Sequence, residues 1–186
     1  MLENRRKTVL IDGCRIPFQR SGTGYRALSS YDLGRLALKA LLRKTEIDPR
    51  MIDSVIMGTV AAKLETSNVA RESALAAGVP SAATAFTVSV ACISANRAIT
   101  RGAEAIAAGQ ADFVLAGGTE SLTDIPILYK KAFRSRLMQS GRARGIFDYL
   151  KLLKGLKFSD LCRKCPTSRN SRPGGAWERT ATAWPR

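Results

Sequence analysis

Cys92 is the residue of this sequence whose type and position best suit chemistry. It lies between an apolar segment, residues 84–91, that predicts a β-strand and an alanine-rich segment, residues 93–108, that predicts a helix. A thiol in the first turn of a helix is placed for nucleophilic attack, because the positive end of the helix dipole favours the thiolate. The sequence contains no histidine, the usual base beside such a thiol. The pattern therefore predicts a nucleophile without its usual proton acceptor; the alternative is a small cysteine with only a packing role.

The other cysteines, Cys14, Cys162 and Cys165, do not form a comparable pattern. Cys162 and Cys165 have the spacing of a redox pair or of half a zinc site, but no second pair and no histidine complete the four ligands. We therefore predict no metal. The cysteines are also too few and too unevenly spaced for a disulfide framework, which favours a reducing, cytoplasmic location.

The net charge of +15 over 186 residues is unevenly distributed along the chain. Residues 1–127 carry 15 Lys and Arg against 12 Asp and Glu, whereas residues 128–157 carry nine against one and alternate with apolar side chains. A phosphate-bearing ligand or an anionic membrane surface fits this basic amphipathic segment, and nucleic acid is disfavoured because the core is nearly neutral. No stretch is long and apolar enough to span a membrane, and the charged start has no apolar export signal behind it.

Strands and helices alternate along the first 127 residues, which predicts a layered α/β sandwich. The segments at 84–91 and 113–116 are apolar without alternation, so we expect both strands to be central in the sheet. The helix at 93–108 is rich in Ala and Gly, so we expect it to be buried on all sides. The predicted strands are residues 8–11, 52–60, 84–91 and 113–116. The predicted helices begin near Asp32 as N-cap, at Asn68 and at Ile93, and Gly78 stops the second of them.

Two motifs carry a resemblance to a known family. Residues 87–98, TVSVACISANRA, and residues 116–127, AGGTESLTDIPI, resemble segments of the N-terminal half of thiolases. Residues 12–18 and 68–71 support the match, which we expect to run from about residue 8 to residue 160. The sequence is most similar to the 3-ketoacyl-CoA thiolases, or acetyl-CoA C-acyltransferases, that form the β-subunit of the fatty-acid oxidation complex. The implied fold is the N-terminal half of the thiolase fold, an α-β-α sandwich with a central mixed sheet.

The resemblance implies an acyl transfer through Cys92. In the family, the cysteine attacks the 3-keto group of a 3-ketoacyl-CoA, acetyl-CoA leaves, and free CoA removes the shortened acyl group from its thioester. The backbone N–H of Cys92 would be one donor of the oxyanion hole. The implied ligands are acyl-CoA and coenzyme A as cosubstrate, with no permanently bound cofactor. The implied protein partners are a second copy of the chain and the α-subunit of the oxidation complex.

Four further residues take a role from the same resemblance. Gly117 and Gly118 match an active-site loop, in which missing side chains allow the backbone to approach the cysteine; a plain turn after a strand is the alternative. Glu120 and Ser121, which follow shortly after this pair, are expected to be scaffold rather than reactants. Asn68 and Arg71 match a segment near the dimer contact, and a solvated helix start is the alternative.

Composition divides the sequence into three segments. Residues 1–127 form the predicted thiolase core, residues 128–161 the start of a basic lid insertion, and residues 162–186 a tail without Ile, Leu, Val, Phe or Met. One permitted codon choice for the tail, read one base out of register, encodes PEVPDVAEFSTGGSMGADRDRLAA, which resembles a thiolase continuation. We therefore interpret the tail as a disordered frameshift product. The family's histidine, second cysteine and asparagine have no counterpart, so we predict a truncated chain that is inactive alone.

Two alternatives stay open. A 3-ketoacyl synthase shares the fold and the position of the nucleophile, but residues 117–121, GGTES, favour a thiolase. The alternative from another class is a basic module that binds nucleic acid or an anionic membrane surface. Salt-dependent binding by residues 128–186 would support that module, and labelling of Cys92 by acyl-CoA would support the enzyme.

Overall fold

The computed structural model of the chain describes residues 6–123, 125, 129 and 131–140. The chain divides into two compact units, Met1–Pro126 and Ile127–Arg186, which are described separately. Most of the predicted basic lid segment and the whole of the predicted tail lie outside the described residues.

A parallel sheet of three strands organises the first unit, with β1 at Ser54–Gly58, β2 at Thr84–Val88 and β3 at Val114–Gly118. The helices of this unit are α1 at Ser30–Thr45, α2 at Val69–Ala77 and α3 at Ser94–Ala107, with a short 3-10 turn at Pro49–Met51. The strand order is β2-β1-β3. Helix α2 joins β1 to β2 and α3 joins β2 to β3, so right-handed crossovers place the two helices on opposite faces of the sheet.

The predicted α/β layering is confirmed, whereas two details of the sheet are wrong. The described strands are all parallel rather than mixed, because a crossover helix separates each strand from the next. The strands predicted at 84–91 and 113–116 are not central. β1 pairs with both of them and is buried along its whole length, so β2 and β3 lie on the two sides of it.

The strand predicted at residues 8–11 does not form. Val9, Leu10 and Ile11 are 74%, 88% and 63% exposed, although their side chains are apolar. β1 already has a strand on each side, so it offers this segment no inner position in the described sheet. Polar contacts hold the segment instead: the Thr8 hydroxyl donates to the Ala103 carbonyl at 3.4 Å.

The main hydrophobic core lies between the sheet and the layer of α1 and α2. Alternate residues of a strand point to opposite faces, so Val55 and Met57 of β1 face this layer together with Leu115 of β3. The helices contribute the other buried apolar side chains of this cluster, which include Leu38, Leu42, Val69, Ala70 and Ala74. This face therefore holds most of the buried apolar volume.

The ends of α1 and α2 are fixed by local side-chain hydrogen bonds. The N-cap of α1 is Ser29 rather than the predicted Asp32, which lies at the third helical position. The Ser29 hydroxyl accepts the Asp32 N–H at 3.2 Å and the Asp32 carboxylate accepts the Ser29 N–H at 2.9 Å, which is a capping box. Helix α2 begins after Asn68 and ends at Gly78, as predicted, and the φ of Gly78 is 101°.

Helix α3 packs against the sheet along one narrow stripe. Its buried residues are Ser94, Ala98 and Gly102, spaced by four, and Ile99 is 49% exposed. The prediction of burial on all sides is therefore wrong: small residues permit close packing on every side, but among the described helices and strands α3 packs mainly against the sheet. On the outer side, Arg101 and Arg97 donate hydrogen bonds to the Glu104 carboxylate, and these bonds lower the pKa of that carboxyl.

The second unit contributes one described helix, α4 at Lys131–Ser140. The rings of Tyr129 and Phe133 lie against each other with centroids 5.0 Å apart. Among the residues that the structure describes, no helix has the length and apolar character needed to cross a membrane.

Candidate nucleophile turn

Cys92 lies in the connection from β2 to α3 and is exposed. β2 ends at Val88 and α3 begins at Ser94, so the cysteine precedes the helix by two residues rather than lying in its first turn as predicted. The N-cap position belongs to Ile93, which has no side-chain capping bond. The connection leaves the sheet at the carboxyl end of β2, the edge where α/β sheets bind ligands.

The turn that carries Cys92 contains an unusual backbone conformation. Ala91 has a φ of 49°, one of two non-glycine residues with positive φ in the described chain. Such a conformation costs a residue with a Cβ about 1–2 kcal/mol. Two backbone hydrogen bonds close the turn, from the Ile93 N–H to the Val90 carbonyl at 3.3 Å and from the Ser94 N–H to the Ala91 carbonyl at 3.2 Å. These two hydrogen bonds fix the backbone conformation of the turn.

Two glycines allow α3 to approach the sheet closely at this edge. A Cβ added to Gly58, the last residue of β1, would lie 2.4 Å from the Ser94 carbonyl carbon and 2.6 Å from the Ala95 nitrogen. A Cβ added to Gly118, the last residue of β3, would lie 2.8 Å from the Ala95 Cβ. Gly58 and Gly118 are partners in the sheet register. The beginning of α3, and with it the turn, is thus held directly against the ends of two strands.

The structure corrects one part of the prediction for Gly117 and Gly118, which is their place in a loop, and their role at the active site stays a prediction. Both residues belong to β3, where they pair with Met57 and Gly58, so they do not form a loop after the strand. The lack of a side chain at Gly118 serves the approach of Ala95 of α3, rather than of the cysteine. A Cβ added to Gly117 would meet no atom within 4 Å, so close approach does not explain that glycine.

The residues after β3 have the structural role predicted for Glu120 and Ser121. The Glu120 carboxylate accepts the Val60 N–H at 2.7 Å and the Ala61 N–H at 3.2 Å, so it holds the loop after β1. The Ser121 hydroxyl donates to the Leu28 carbonyl at 3.2 Å. These bonds hold the connections at the carboxyl edge of the sheet, and none of them involves Cys92.

Asn68 and Arg71 are tied to their own chain. The Asn68 side chain accepts the Arg71 N–H at 3.1 Å and donates to the Ala85 carbonyl at 3.0 Å. The Arg71 guanidinium donates to the Ala83 carbonyl at 2.7 Å and to the Ser81 carbonyl at 2.9 Å. Both residues therefore brace α2 against β2 and the segment before it, and the dimer contact stays a prediction.

The remaining described cysteine is less suited to nucleophilic chemistry. Cys14 donates from its Sγ to the Ala37 carbonyl at 3.2 Å, and desolvation raises the pKa of its thiol. Cys162 and Cys165 lie outside the described residues. Within the described part of the chain, no three His, Cys, Asp or Glu side chains are grouped as metal ligands would be.

The arrangement suits covalent chemistry at an exposed thiol on a fixed turn.

Sequence reasoning found Cys92 but missed the residues that position it, namely Gly58, Ala91 and Ser94. The signal for Gly58 was a glycine at the end of a continuous apolar strand, which often marks a close backbone approach. A positive φ at an alanine leaves no such signal in one sequence.

Comparison with known proteins gives the class of the fold and site. Residues 8–156 match the family model "Thiolase, N-terminal domain". A crystal structure of the acetyl-CoA acetyltransferase from Bacillus anthracis superposes with a TM-score of 0.57 at 30% identity, over 59% of this chain and 28% of that one. A thiolase from Ascaris suum, solved in complex with coenzyme A, gives 0.58 at 28% identity, over 60% and 29%. The chain belongs to the thiolase family.

Within that family, the chain is similar to 3-ketoacyl-CoA thiolases. It is 40% identical over 185 residues to the human mitochondrial trifunctional enzyme subunit beta, with 97% of this chain and 39% of the relative covered. It is 38% identical over 186 residues to a probable 3-ketoacyl-CoA thiolase of Caenorhabditis elegans, with 98% and 42% covered. A 3-ketoacyl-CoA thiolase of Serratia proteamaculans is 37% identical over 155 residues, covering 83% and 36%.

The extent of these matches changes one expectation. The chain spans 36–42% of the length of these curated relatives. The family model ends at residue 156, but the alignments that cover 97% and 98% of the chain continue into residues 162–186. The similarity therefore extends beyond residue 161, contrary to the prediction that it ends near residue 160.

Proposed function

We propose that this chain carries the nucleophile-bearing half of a 3-ketoacyl-CoA thiolase. The observation that carries the proposal is the placement of Cys92, exposed on a hydrogen-bonded turn at the carboxyl edge of the sheet. The relatives named as 3-ketoacyl-CoA thiolases support the substrate class, and the mitochondrial trifunctional enzyme beta subunits support a role in fatty-acid oxidation.

The proposed chemistry is an acyl transfer in two steps. The Cys92 Sγ, as thiolate, forms a bond to the 3-keto carbon of a 3-ketoacyl-CoA. The bond between C2 and C3 then breaks, its electron pair stays on C2, and protonation of C2 releases acetyl-CoA. In the second step the thiol of free CoA gives up its proton and attacks the acyl-thioester, which releases the shortened acyl-CoA and restores the Cys92 thiolate.

The backbone N–H of Cys92 is our proposed donor to the oxyanion of these steps. The two N–H groups that close the turn are those of Ile93 and Ser94, so the Cys92 N–H takes no part in that pair of bonds. A fixed N–H beside the attacking sulfur stabilises the negative charge that develops on the carbonyl oxygen. Coenzyme A and its acyl esters are therefore the proposed ligands, in agreement with the coenzyme A complex of the Ascaris suum thiolase.

Two protein partners belong to the same proposal. The beta subunits among the relatives are parts of trifunctional enzymes, and by analogy we propose association with an α-subunit. We also propose a homodimer, with Asn68 and Arg71 near the contact. Both side chains already bond to their own chain, so their contribution would be to shape the surface rather than to reach across it.

We further propose that the 186-residue chain does not turn over by itself. Its sequence contains no histidine to take up the proton of Cys92 or of CoA. The experiment is an assay of acetyl-CoA released from acetoacetyl-CoA and CoA, with Cys92→Ala as control. We expect at most one equivalent of acetyl-CoA per chain. Repeated turnover that Cys92→Ala abolishes would overturn the proposed inactivity and leave the nucleophile in place.

The origin of residues 162–186 is a separate proposal. The absence of Ile, Leu, Val, Phe and Met from this segment favours a stretch read out of frame, although pairwise alignments continue into it. Sequencing the gene tests the proposal. We expect the alternative frame after codon 161 to continue with the rest of a thiolase, and an alternative frame without thiolase motifs would contradict it.

A further inference from the structure

Ser94 is the first residue of α3 and is 4% exposed. Its hydroxyl accepts the Val90 N–H at 2.8 Å and donates to the Ala91 carbonyl at 2.6 Å. Its own N–H also donates to the Ala91 carbonyl, at 3.2 Å. The two groups that bond to the Ser94 hydroxyl are thus linked through the ψ rotation of Val90 and the φ and ψ rotations of Ala91, so the bonds restrain all three. Cys92 is the next residue in the chain.

These bonds act on the one strained position of the turn. Ala91 has a φ of 49°, a conformation that residues with a Cβ rarely adopt unless their surroundings enforce it. Without the Ser94 hydroxyl, the Val90 N–H would lose its acceptor and the Ala91 carbonyl one of its two donors. The backbone of Ala91 would then be free to relax towards negative φ, and this rotation would move the sulfur of Cys92.

Ser94 is itself fixed by the sheet. A Cβ at Gly58 would lie 2.4 Å from the Ser94 carbonyl carbon and 2.7 Å from its oxygen, so the end of β1 already lies in contact with this residue. The contact with β1 therefore fixes the position of the Ser94 hydroxyl. The hydroxyl then fixes the backbone conformation of the turn through its bonds to Val90 and Ala91. The sequence of contacts runs from β1 through Ser94 to Ala91 and Cys92.

We propose that Ser94 is a positioning residue for acyl transfer, which holds the turn so that Cys92 is presented to the acyl donor. The inference rests on the proposed function, in which Cys92 is the acyl acceptor. Ser94 acts through Ala91 and does not touch the reacting atoms, so its loss should slow acylation more than it slows reactions that need only an exposed thiol.

The experiment compares two reactions of the full 186-residue chain. Transfer of the acetyl group from acetoacetyl-CoA to Cys92 and alkylation of Cys92 by iodoacetamide are both followed by peptide mass spectrometry, with Cys14 as the reference thiol in each sample. The variants are Ser94→Ala, Ser94→Thr, which keeps the hydroxyl, and Ser73→Ala. Ser73 is a matched control because it is 0% exposed and its hydroxyl donates to the Tyr31 carbonyl at 3.1 Å, in the layer of α1 and α2.

We expect Ser94→Ala to slow acylation about tenfold, the equivalent of losing one hydrogen-bonded contact, and to change alkylation less than about twofold. Ser94→Thr should restore acylation to within about threefold, and Ser73→Ala should change neither reaction. Acylation by a folded Ser94→Ala chain within about twofold of the unsubstituted chain would overturn the inference and leave the proposed function intact. A lack of Cys92 acylation in the unsubstituted chain would instead overturn the proposed function, and the inference with it.

If circular dichroism shows that Ser94→Ala does not fold, a second pair of variants tests the proposal. Glycine adopts positive φ without strain, so the Ala91→Gly substitution removes the need for the hydroxyl to hold that conformation. In the Ala91→Gly background, we expect Ser94→Ala to fold and to slow acylation by about threefold or less. A loss of about tenfold or more in that background would show that Ser94 does not act through Ala91, which contradicts the proposal.

Discussion

The two faces of the sheet are covered in different ways. On one face, α1 and α2 enclose a cluster of aliphatic side chains that includes Leu38, Leu42 and Val55. On the other face, α3 buries only Ser94, Ala98 and Gly102. The first face is held by apolar volume removed from water, whereas on the second face small residues bring the helix backbone into contact with the strand ends.

This difference separates stability from positioning. A face filled by large side chains gains free energy from burial, but the side chains keep the backbones apart. A face built from small residues buries less apolar area, but its close-packed contacts leave the helix backbone little room to shift relative to the sheet. Cys92 precedes the helix on the second face. Substitutions on the two faces should therefore have different consequences for folding and for the thiol.

The largest effect should come from filling the contact between β1 and α3. Gly58→Ala would place a Cβ 2.4 Å from the Ser94 carbonyl carbon, and backbone atoms cannot move aside as a flexible side chain can. We expect a loss of about 3 kcal/mol or more in the free energy of unfolding, measured by urea denaturation, together with slower acylation of Cys92.

The matched control for this substitution is Gly117→Ala, also within a strand. A Cβ at Gly117 meets nothing within 4 Å, so we expect a change within about 1 kcal/mol and unchanged chemistry at Cys92. Equal losses for the two substitutions would mean that close packing of α3 is not what distinguishes Gly58.

A slightly smaller effect should come from emptying the first face. Leu42 of α1 is 7% exposed and belongs to the aliphatic cluster, whereas Ile99 of α3 is 49% exposed. We expect Leu42→Ala to lower the free energy of unfolding by about 3 kcal/mol and Ile99→Ala by about 1 kcal/mol or less. Urea denaturation measures both. A larger loss for Ile99→Ala would contradict the assignment of the stabilising core to the face of α1 and α2.

The smallest effect concerns the amino edge of the sheet, which both faces share. The Asp53 carboxylate accepts the Asp112 N–H at 2.7 Å and the Phe113 N–H at 2.9 Å. The bonds to Phe113 and Asp112 lower the pKa of Asp53 from its ordinary value of 3.8. Because the folded pKa lies below the unfolded one, the stabilisation is complete above pH 3.8 and is lost as the pH falls through the folded pKa.

Asp53→Asn tests this link between β1 and β3. Asp53 is exposed, so solvent screens the carboxylate and we expect a loss of only about 0.5–1 kcal/mol at pH 7. The difference between the two chains should shrink below pH 3.8, as seen by urea denaturation across pH. A difference that grows on acidification would show that the pKa shift has the opposite sign.

The parts of the fold that sequence predicted correctly depend on neighbouring residues. Asn68 and Gly78 bound α2 because their caps use backbone groups within a few residues. The position of Cys92 between β2 and α3 followed in the same way from an apolar run that gives way to an alanine-rich one. The α1 cap was missed by three positions, because Ser29 and Asp32 both suit an N-cap and exchange bonds with each other.

The parts that sequence did not predict depend on distant residues. Strand order placed β1 in the centre and left Val9 and Leu10 outside the sheet, although these segments have similar apolar composition. The role of Gly58 depends on Ser94, which is far away in sequence, and the positive φ of Ala91 depends on bonds from the beginning of α3. A single sequence contains no record of these pairings.

The most direct test of this account is to locate the acyl group after the chain has met a 3-ketoacyl-CoA. The full chain is incubated with acetoacetyl-CoA, quenched in acid, digested and mapped by peptide mass spectrometry, with Cys92→Ser as the control. We predict one acetyl group, on Cys92, that hydroxylamine removes as expected for a thioester and that Cys92→Ser abolishes. An unmodified Cys92, or acetylation of Cys14 to the same extent, would contradict the assignment of Cys92 as the nucleophile.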